Sequence, residues 1–409
     1  MPADPAFRLL EYAAGDAVER ARSMDPGDVI ALVERAGLRG RGGAGQSTAL
    51  KMAATRTNAA NGGAYVVANA YDGDPGSPLA RTLVARNVEL VRAGMAIAAH
   101  AVGAETAYLY LHPEATEARA AADGAAGSGT ADGLITTALG PGTFMGGEET
   151  ALLAVLESRR AMARQRPPWP AQQGLLLRPT LISSAETIAA LPFIVNEGPD
   201  AFRGAGTASA PGTKLVSVTG AVANPGVHEV PFGTRLGDLL DMAGGPAVTL
   251  KGIHVGGPTG GILGVRHTET PLGYEELKDA GTHLGSAQVR AIPADACIVR
   301  EAAKLFAYLA RETCAICVPC RVGTKRVQGI LDGITSELGR PEDLPWLTEL
   351  GDHMREFSMC GFGITAPSIL RTTMAEFPDD YRAHIEEQRC PVGTCTPLRA
   401  RRYETMAQP

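Results

Sequence analysis

No stretch of this 409-residue sequence approaches the length of apolar chain needed to cross a bilayer, and the first thirty residues hold no signal-peptide core. A soluble, cytoplasmic chain with no direct membrane insertion is therefore expected. Long basic runs are also lacking. With a formal net charge of −6, that argues against nucleic acid as the main partner. Cysteine is scarce and odd in number, with seven in all. In a large chain of this class an odd count speaks against a disulfide framework, and four of the seven stand at or near metal-ligand spacing. What remains is ordinary globular composition, 45% hydrophobic and 20% charged, in a chain too long for one compact core.

The N-terminal part alternates helix and strand. Asp25-Pro26 looks like an N-cap followed by proline at the first helical position, opening a helix through Val33. A glycine-rich loop spans Gly37 to Gly45. A helix near Thr48–Thr55, a strand near Tyr65–Ala68, a long helix over Leu79–Ala99 and a strand at Ala107–Leu111 follow. This order predicts an α/β domain with a mainly parallel sheet. The Ala/Gly stretch from Ala120 to Gly133 reads as a loop, and Pro167-Pro168-Trp169-Pro170 as rigid punctuation. After a Gly/Ala/Pro-rich border at Gly204–Gly212 the pattern changes. Lys214–Thr219 and Val227–Pro231 read as strands joined by the Asn224-Pro225-Gly226 turn. A helix at Leu236–Ala243 ends on Gly244-Gly245, and Ile253–Val255 is another strand. This is a small mixed module of the ubiquitin-like kind. From Cys297 onward the chain reads as helical, with Ile298, Ala302, Leu305, Phe306 and Leu309 forming one apolar stripe. The expected domains are 1–205, 213–290, 295–386 and a Cys-containing tail, 387–409.

Cys314-x-x-Cys317-x-x-Cys320 is the sharpest chemical signal. Thiolates at this spacing can face one centre, and a third repeat wraps the chain round a cluster. With Cys360, in Met359-Cys360-Gly361-Phe362-Gly363, the set suits a [4Fe–4S] cluster, one thiolate per iron. A structural zinc site and a redox-active Cys-x-x-Cys pair are the alternatives. Cys297 reads as a small buried apolar residue. Cys390 and Cys395 form a separate pair: a partial metal site, a site shared with a partner, or ordinary thiols. They precede a short basic stretch, Arg399, Arg401 and Arg402, and this end is expected to be mobile or to contact a partner.

In the loop Gly40-Arg41-Gly42-Gly43-Ala44-Gly45, successive backbone N–H groups can form an anion-binding concavity ahead of a helix, with Arg39, Arg41 and Lys51 adding positive charge. The spacing is not that of a dinucleotide fingerprint after a strand, and a surface loop is the plainer alternative. Asn69-Ala70-Tyr71-Asp72-Gly73-Asp74 and Gly147-Glu148-Glu149 set carboxylates beside glycines. Such groups hold ribose hydroxyls or flavin edges, although each taken singly is more often a turn or a helix cap.

Read together and in order, these motifs resemble the NADH-binding, 51 kDa flavoprotein subunit of respiratory complex I, with its relatives in NAD-linked hydrogenases and formate dehydrogenases. The likeness runs from about Asp25 to about Ile385. It rests on Gly37–Lys51, Asn69–Gly76, Gly140–Glu157, Lys214–Val230 and Glu312–Gly323. The resemblance implies a Rossmann-like α/β domain holding FMN with NAD(H) stacked on it, a β-grasp soluble-ligand-binding domain, and a helical bundle with one [4Fe–4S] cluster. Family flavin contacts fall on Gly40–Gly45, Asn69, Gly147, Glu148, Glu149 and Thr187, and the family's paired asparagines on Ser183 and Ser184. The carboxylate that helps bind the nicotinamide nucleotide falls on Asp74; Lys51 and Asp72 belong to the same motifs. The implied activity is NADH dehydrogenation through flavin, then single-electron transfer to a ferredoxin-like or other electron-transfer subunit. No side chain need act as general acid or base.

The departures concentrate where the donor binds. Gln46 and Ala54 stand at positions where the family has aromatics, Tyr71 replaces an aspartate, and Phe144 and Gly146 replace a tyrosine and a cysteine. A ring stacked on a base is worth about 1–3 kcal/mol, so dinucleotide binding is expected to weaken. Two alternatives therefore stay open: a flavin and iron–sulfur relay without a nicotinamide site, and a non-enzymatic scaffold module.

Overall fold

The structure is a computed structural model that describes residues 8–59, 63–127, 131 and 133–396. Arg399, Arg401 and Arg402 lie outside the described residues. The chain forms two compact units. The first is Met1–Ser217 with Gly226–Thr234 and Pro271–Tyr274; the second is Val218–Pro225, Arg235–Thr270 and Glu275–Pro409.

The first unit is built on four parallel strands: β1 (Ala64–Ala70), β2 (Ala104–Leu111), β3 (Ile135–Leu139) and β4 (Thr180–Ser184), in the order β3-β2-β1-β4. Val66, Val67, Ala68 and Ala70 of β1 are buried, as a central strand covered on both faces requires. The helix Leu79–Val102 carries the chain from β1 to β2, the crossover that parallel pairing demands. Along it, Gly94 has no room for a side chain. A Cβ there would come within 2.1 Å of the Ile188 carbonyl oxygen, on the helix Ala185–Ala189. The helix Pro26–Ala36 opens at Asp25 and ends at Gly37 with φ 67°, so its C-terminus adopts the left-handed conformation that glycine takes without strain.

The expected loop at Ala120–Gly133 is corrected at its start. Thr116–Gly124 is a helix, and its alanines, read as low complexity, are the best helix formers available. Residues 128–130 and 132 of that stretch lie outside the described residues. A buried ion pair ties the later part of this unit together. The Lys214 ammonium donates to Glu186 and to the Leu215 carbonyl, while the Leu215 N–H donates to the other Glu186 oxygen. Burial pushes the Lys214 ammonium down and the Glu186 carboxylate pulls it back up.

Strand β5 (Thr213–Gly220) and β6 (Gly226–Pro231) flank the Asn224-Pro225 turn. In the second unit the chain leaving β5 meets β9 (Gln288–Pro293), where the Ala221 N–H donates to the Ala291 carbonyl. β7 (Leu250–Val255) pairs antiparallel with β9 and with the short β8 (Gly261–Gly264). β8 and β9 escaped the sequence reading: one is four residues long with glycine at both ends, and the other ends on proline. From Ile298 onward the described elements are all helical, beginning with Ile298–Glu312, Val318–Gly333 and Asp343–Phe357. The predicted stripe is the inner face of the first of these, with Ile298, Ala302, Phe306 and Leu309 buried. No helix among the described residues is long and apolar enough to cross a membrane.

Candidate functional site

In an open parallel sheet, ligands bind outside the carboxyl ends of the strands, where the strand order reverses. Here that point lies between β1 and β4. Asn69 and Ser184 sit opposite each other at their C-terminal ends, with Ala68 opposite Ser183. The glycine loop reaches the same place. The Arg41 N–H donates to Thr187 Oγ1 (2.8 Å), and Ser184 Oγ caps the helix Ala185–Ala189 by accepting from the Thr187 N–H. The loop is closed at its base by the Gly40 N–H to the Gln46 carbonyl (2.8 Å) and by Arg39 Nε to the Gly45 carbonyl (2.7 Å). Within it, the N–H groups of Gly42, Gly43 and Ala44 take no acceptor among the described residues. Adjacent N–H groups without acceptors, just ahead of the helix Thr48–Asn58, suit a phosphate.

The charges around the loop have distinct duties. Arg41 is buried. Its guanidinium donates to the Pro211 and Arg39 carbonyls and lies 4.7 Å from the centre of the Phe232 ring, so it braces the loop from within. Lys51 donates to the Ile182 carbonyl (2.8 Å) and pairs with Glu149 (3.6 Å). Glu148 caps the helix Glu149–Leu156, accepting from the Thr150 and Ala151 N–H groups at 2.9 Å each. Arg166, for which the sequence offers no signal, lies 3.6 Å from Glu148 and 3.8 Å from Glu149. Asn69 Nδ2 donates to the Gly147 carbonyl (2.9 Å), tying the end of β1 to the Gly147-Glu148-Glu149 motif.

Asp72 accepts from the Ala80 and Arg81 N–H groups (2.9 and 2.8 Å) and from Arg81 Nε, so its carboxylate caps the long helix. Burial lifts its pKa to about 6. Asp74 is buried and accepts from the Gly76 N–H (2.8 Å).

Two of the positions singled out in the sequence, Tyr71 and Gly146, meet in space. The Tyr71 ring is buried, stacks on Tyr110 at 5.3 Å, and donates its hydroxyl to the Thr143 carbonyl (2.6 Å). A Cβ on Gly146 would lie 2.6 Å from that hydroxyl oxygen, so the larger residue at 71 needs the smaller one at 146. Gln46 is exposed and carries no ring. The aromatic residue that does lie on the loop is Tyr274. A Cβ on Gly45 would meet its ring at 2.6 Å, its hydroxyl donates to the Gly40 carbonyl (2.9 Å), and the Arg39 guanidinium sits 4.2 Å above it.

In the second unit, Cys314 and Cys317 lie between the helices Ile298–Glu312 and Val318–Gly333. Cys317 is the N-cap of the second helix and Cys320 is in its first turn. Ala315, at φ 63°, turns the chain between the first two thiols. Cys360 is the residue before the helix Gly361–Thr365. Burial pushes the Cys320 thiol up to about 12; Thr313 Oγ1, 3.3 Å from its sulfur, opposes this, and the thiols of Cys317, Cys360 and Cys314 add to the rise. The other three thiols therefore lie near enough to act on Cys320, and a cationic centre beside it would favour its ionised form. Ser358 Oγ, buried beside this group, has no hydrogen-bond partner among the described residues. The glycine that allows close approach is Gly363, where a Cβ would come within 2.4 Å of Ser358 Oγ and 3.0 Å of Cys320 Cβ; at Gly361 the space is open.

Known proteins carry the same three parts. Residues 33–192 match the Nuo51 FMN-binding domain, 215–263 the SLBB domain, and 300–384 the NADH-ubiquinone oxidoreductase-F iron-sulfur binding region. The chain is 35% identical over 400 residues to the NADP-reducing hydrogenase protein HndC of Solidesulfovibrio fructosivorans, covering 94% of this chain and 81% of that protein. It is 36% identical over 392 residues to the NADH-quinone oxidoreductase F polypeptide of Streptomyces coelicolor, covering 92% and 87%. A chain in the crystal structure of an NAD+-reducing [NiFe]-hydrogenase in the H2-reduced state superimposes with a TM-score of 0.83 at 33% identity, over 98% of this chain and 69% of that one. By fold, by motif and by identity along nearly its whole length, the chain belongs to the NADH-quinone oxidoreductase F family of oxidoreductases.

Proposed function

We propose that this chain oxidises NADH at a bound FMN and passes the electrons singly, through a [4Fe–4S] cluster, to a partner electron-transfer subunit or ferredoxin-like protein. The observation that carries this reading is the glycine loop at the switch point. Among the described residues the N–H groups of Gly42, Gly43 and Ala44 take no acceptor, and their loop is tied through the Arg41 N–H and Thr187 to the end of the sheet that carries Asn69, Ser183 and Ser184. The N–H groups of Gly42, Gly43 and Ala44 would hold the flavin phosphate, with Lys51, Asn69 and Thr187 at its edge. Glu148 and Glu149, held by Arg166 and Lys51, would face the donor side. Flavin, when bound, exchanges two electrons with a nicotinamide and one at a time with a cluster. Cys314, Cys317, Cys320 and Cys360 would hold the cluster, and the Ser358 hydroxyl, without a hydrogen-bond partner among the described residues, would donate to it. The domain borders drawn from the sequence, 1–205, 213–290, 295–386 and 387–409, divide these tasks.

One observation favours a second reading, a relay that has lost its nicotinamide site. Asp74, where the resemblance sets a carboxylate for the nucleotide, is 5% exposed and accepts from the Gly76 N–H, and Gln46 offers no ring. Anaerobic titration of the FMN-loaded protein with NADH, then NADPH, decides between them. Bleaching of the flavin band at near-stoichiometric NADH is expected. Bound flavin that neither nucleotide bleaches would leave the relay.

A further inference from the structure

Three cysteines stand outside the [4Fe–4S] set, and the structure brings all of them to one place. Cys297 caps the helix Ile298–Glu312, His384 lies at the end of the helix Pro378–Ile385, and Cys390 and Cys395 bound the turn that follows. The turn is tight: Gly393 has φ 68° and its N–H donates to the Cys390 carbonyl (3.1 Å). Cys297 Sγ is 3.5 Å from His384 Nε2 and 3.6 Å from Cys395 Sγ, and Nε2 is 3.4 Å from Cys395 Sγ. With Cys390 Sγ included, the four ligand atoms all lie within 4.8 Å of one another.

These separations suit a single ion. Zinc bonds of about 2.3 Å to sulfur and about 2.0–2.1 Å to nitrogen, set tetrahedrally, put sulfurs about 3.8 Å apart and sulfur and nitrogen about 3.6 Å apart. No disulfide forms among these cysteines, and one would leave a third thiol and an imidazole with nothing to bind. The surroundings orient the donors as metal ligands are oriented. His384 Nδ1 lies 2.7 Å from the Asp380 carbonyl oxygen. A carbonyl accepts only from a protonated ring nitrogen, so Nδ1 carries a hydrogen and Nε2 is the ring nitrogen left to face the sulfurs and bind a metal. The Arg300 N–H donates to Cys297 Sγ (3.5 Å). Asp380 is itself held, through its carboxylate, by Lys251 (2.9 and 2.7 Å) and by the Ile298 N–H (3.2 Å).

We propose that Cys297, His384, Cys390 and Cys395 bind one Zn2+ in a closed Cys3His site that clasps the 390–395 turn to the start of the helix Ile298–Glu312. The soft thiolates and imidazole exclude magnesium and calcium, and four protein ligands leave no position for substrate, so the role is structural. Binding releases the three thiol protons to solvent and leaves the imidazole neutral. The site does not depend on the [4Fe–4S] reading. Cys297, Cys390 and Cys395 fall outside the 300–384 match to the iron–sulfur region.

The test is metal analysis of the full-length protein produced with zinc and iron supplied, combined with X-ray absorption at the zinc edge. About one zinc per chain is expected, with three sulfur ligands at about 2.3 Å and one nitrogen at about 2.0 Å. The Cys390→Ser/Cys395→Ser double variant should lose zinc at least tenfold while keeping its iron. Cys317→Ala should do the reverse. Zinc absent from the wild type, zinc that disappears with Cys317, iron in the Cys3His site, or a Cys297–Cys395 disulfide in the isolated protein would each overturn the proposal. The absorption spectrum of the wild type decides the ligand set even where a variant fails to fold.

Discussion

Tyr71 and Gly146 are 75 positions apart in sequence and meet as one packing unit, so the ring at 71 leaves no room for a side chain at 146. Gly140 lies against the same ring: a Cβ there would fall 2.3 Å from Tyr71 Cε2. Gly146→Ala should therefore overpack this spot and cost about 1–3 kcal/mol of stability. In a Tyr71→Ala background the same alanine should cost little, giving a coupling on the order of 1 kcal/mol in a double-mutant cycle by denaturant unfolding. Additive effects would dissolve the link. Arg166 makes a related point about single residues. It pairs with both Glu148 and Glu149, and no local pattern announces that.

Helix caps explain several carboxylates that looked like ligands. Asp72 holds the first turn of Leu79–Val102, with Arg81 against it. Its pKa rises from 3.8 to about 6, chiefly through burial, while the two N–H bonds and Arg81 pull it down. A raised carboxyl pKa means that the folded state binds the proton more tightly. Its stabilisation is full below 3.8 and is lost as pH climbs through about 6, a swing on the order of 3 kcal/mol. Asp72→Asn keeps an acceptor for the helix and cannot ionise. The melting temperature of the variant should gain on the wild type between about pH 4 and pH 6.5. Parallel melting curves across that window would show that Asp72 titrates normally.

At the scale of the whole chain, the two kinds of site belong to different units. The glycine loop, β1 and β4 lie in the first, and every cysteine lies in the second. Loss of cluster binding should then spare the flavin. Cys317→Ala is expected to retain FMN and NADH-dependent bleaching, while its iron content and its rate of electron delivery to a one-electron protein acceptor fall at least tenfold. Loss of flavin in step with iron would mean that the units do not hold their cofactors independently.

The sequence by itself determined what depends on neighbours along the chain. The apolar stripe from Ile298 to Leu309, the helix start at Asp25-Pro26, the alternation of strand and helix and the Cys-x-x-Cys-x-x-Cys run all express spacings of a few residues, which backbone geometry converts directly into a face, a turn or a ligand set. The alanines after Thr116 carry two signals, low complexity and high helical propensity, and in Thr116–Gly124 the propensity wins. Only the tertiary structure decided what depends on chain segments far apart. Cys297 read as a buried apolar residue and Cys390 and Cys395 as an undecided pair, yet Cys297 and Cys395 meet across 98 positions. His384, in the last helix, completes their set. Contacts of that span are chosen by which helix faces bury together, and no local period in the sequence records that choice.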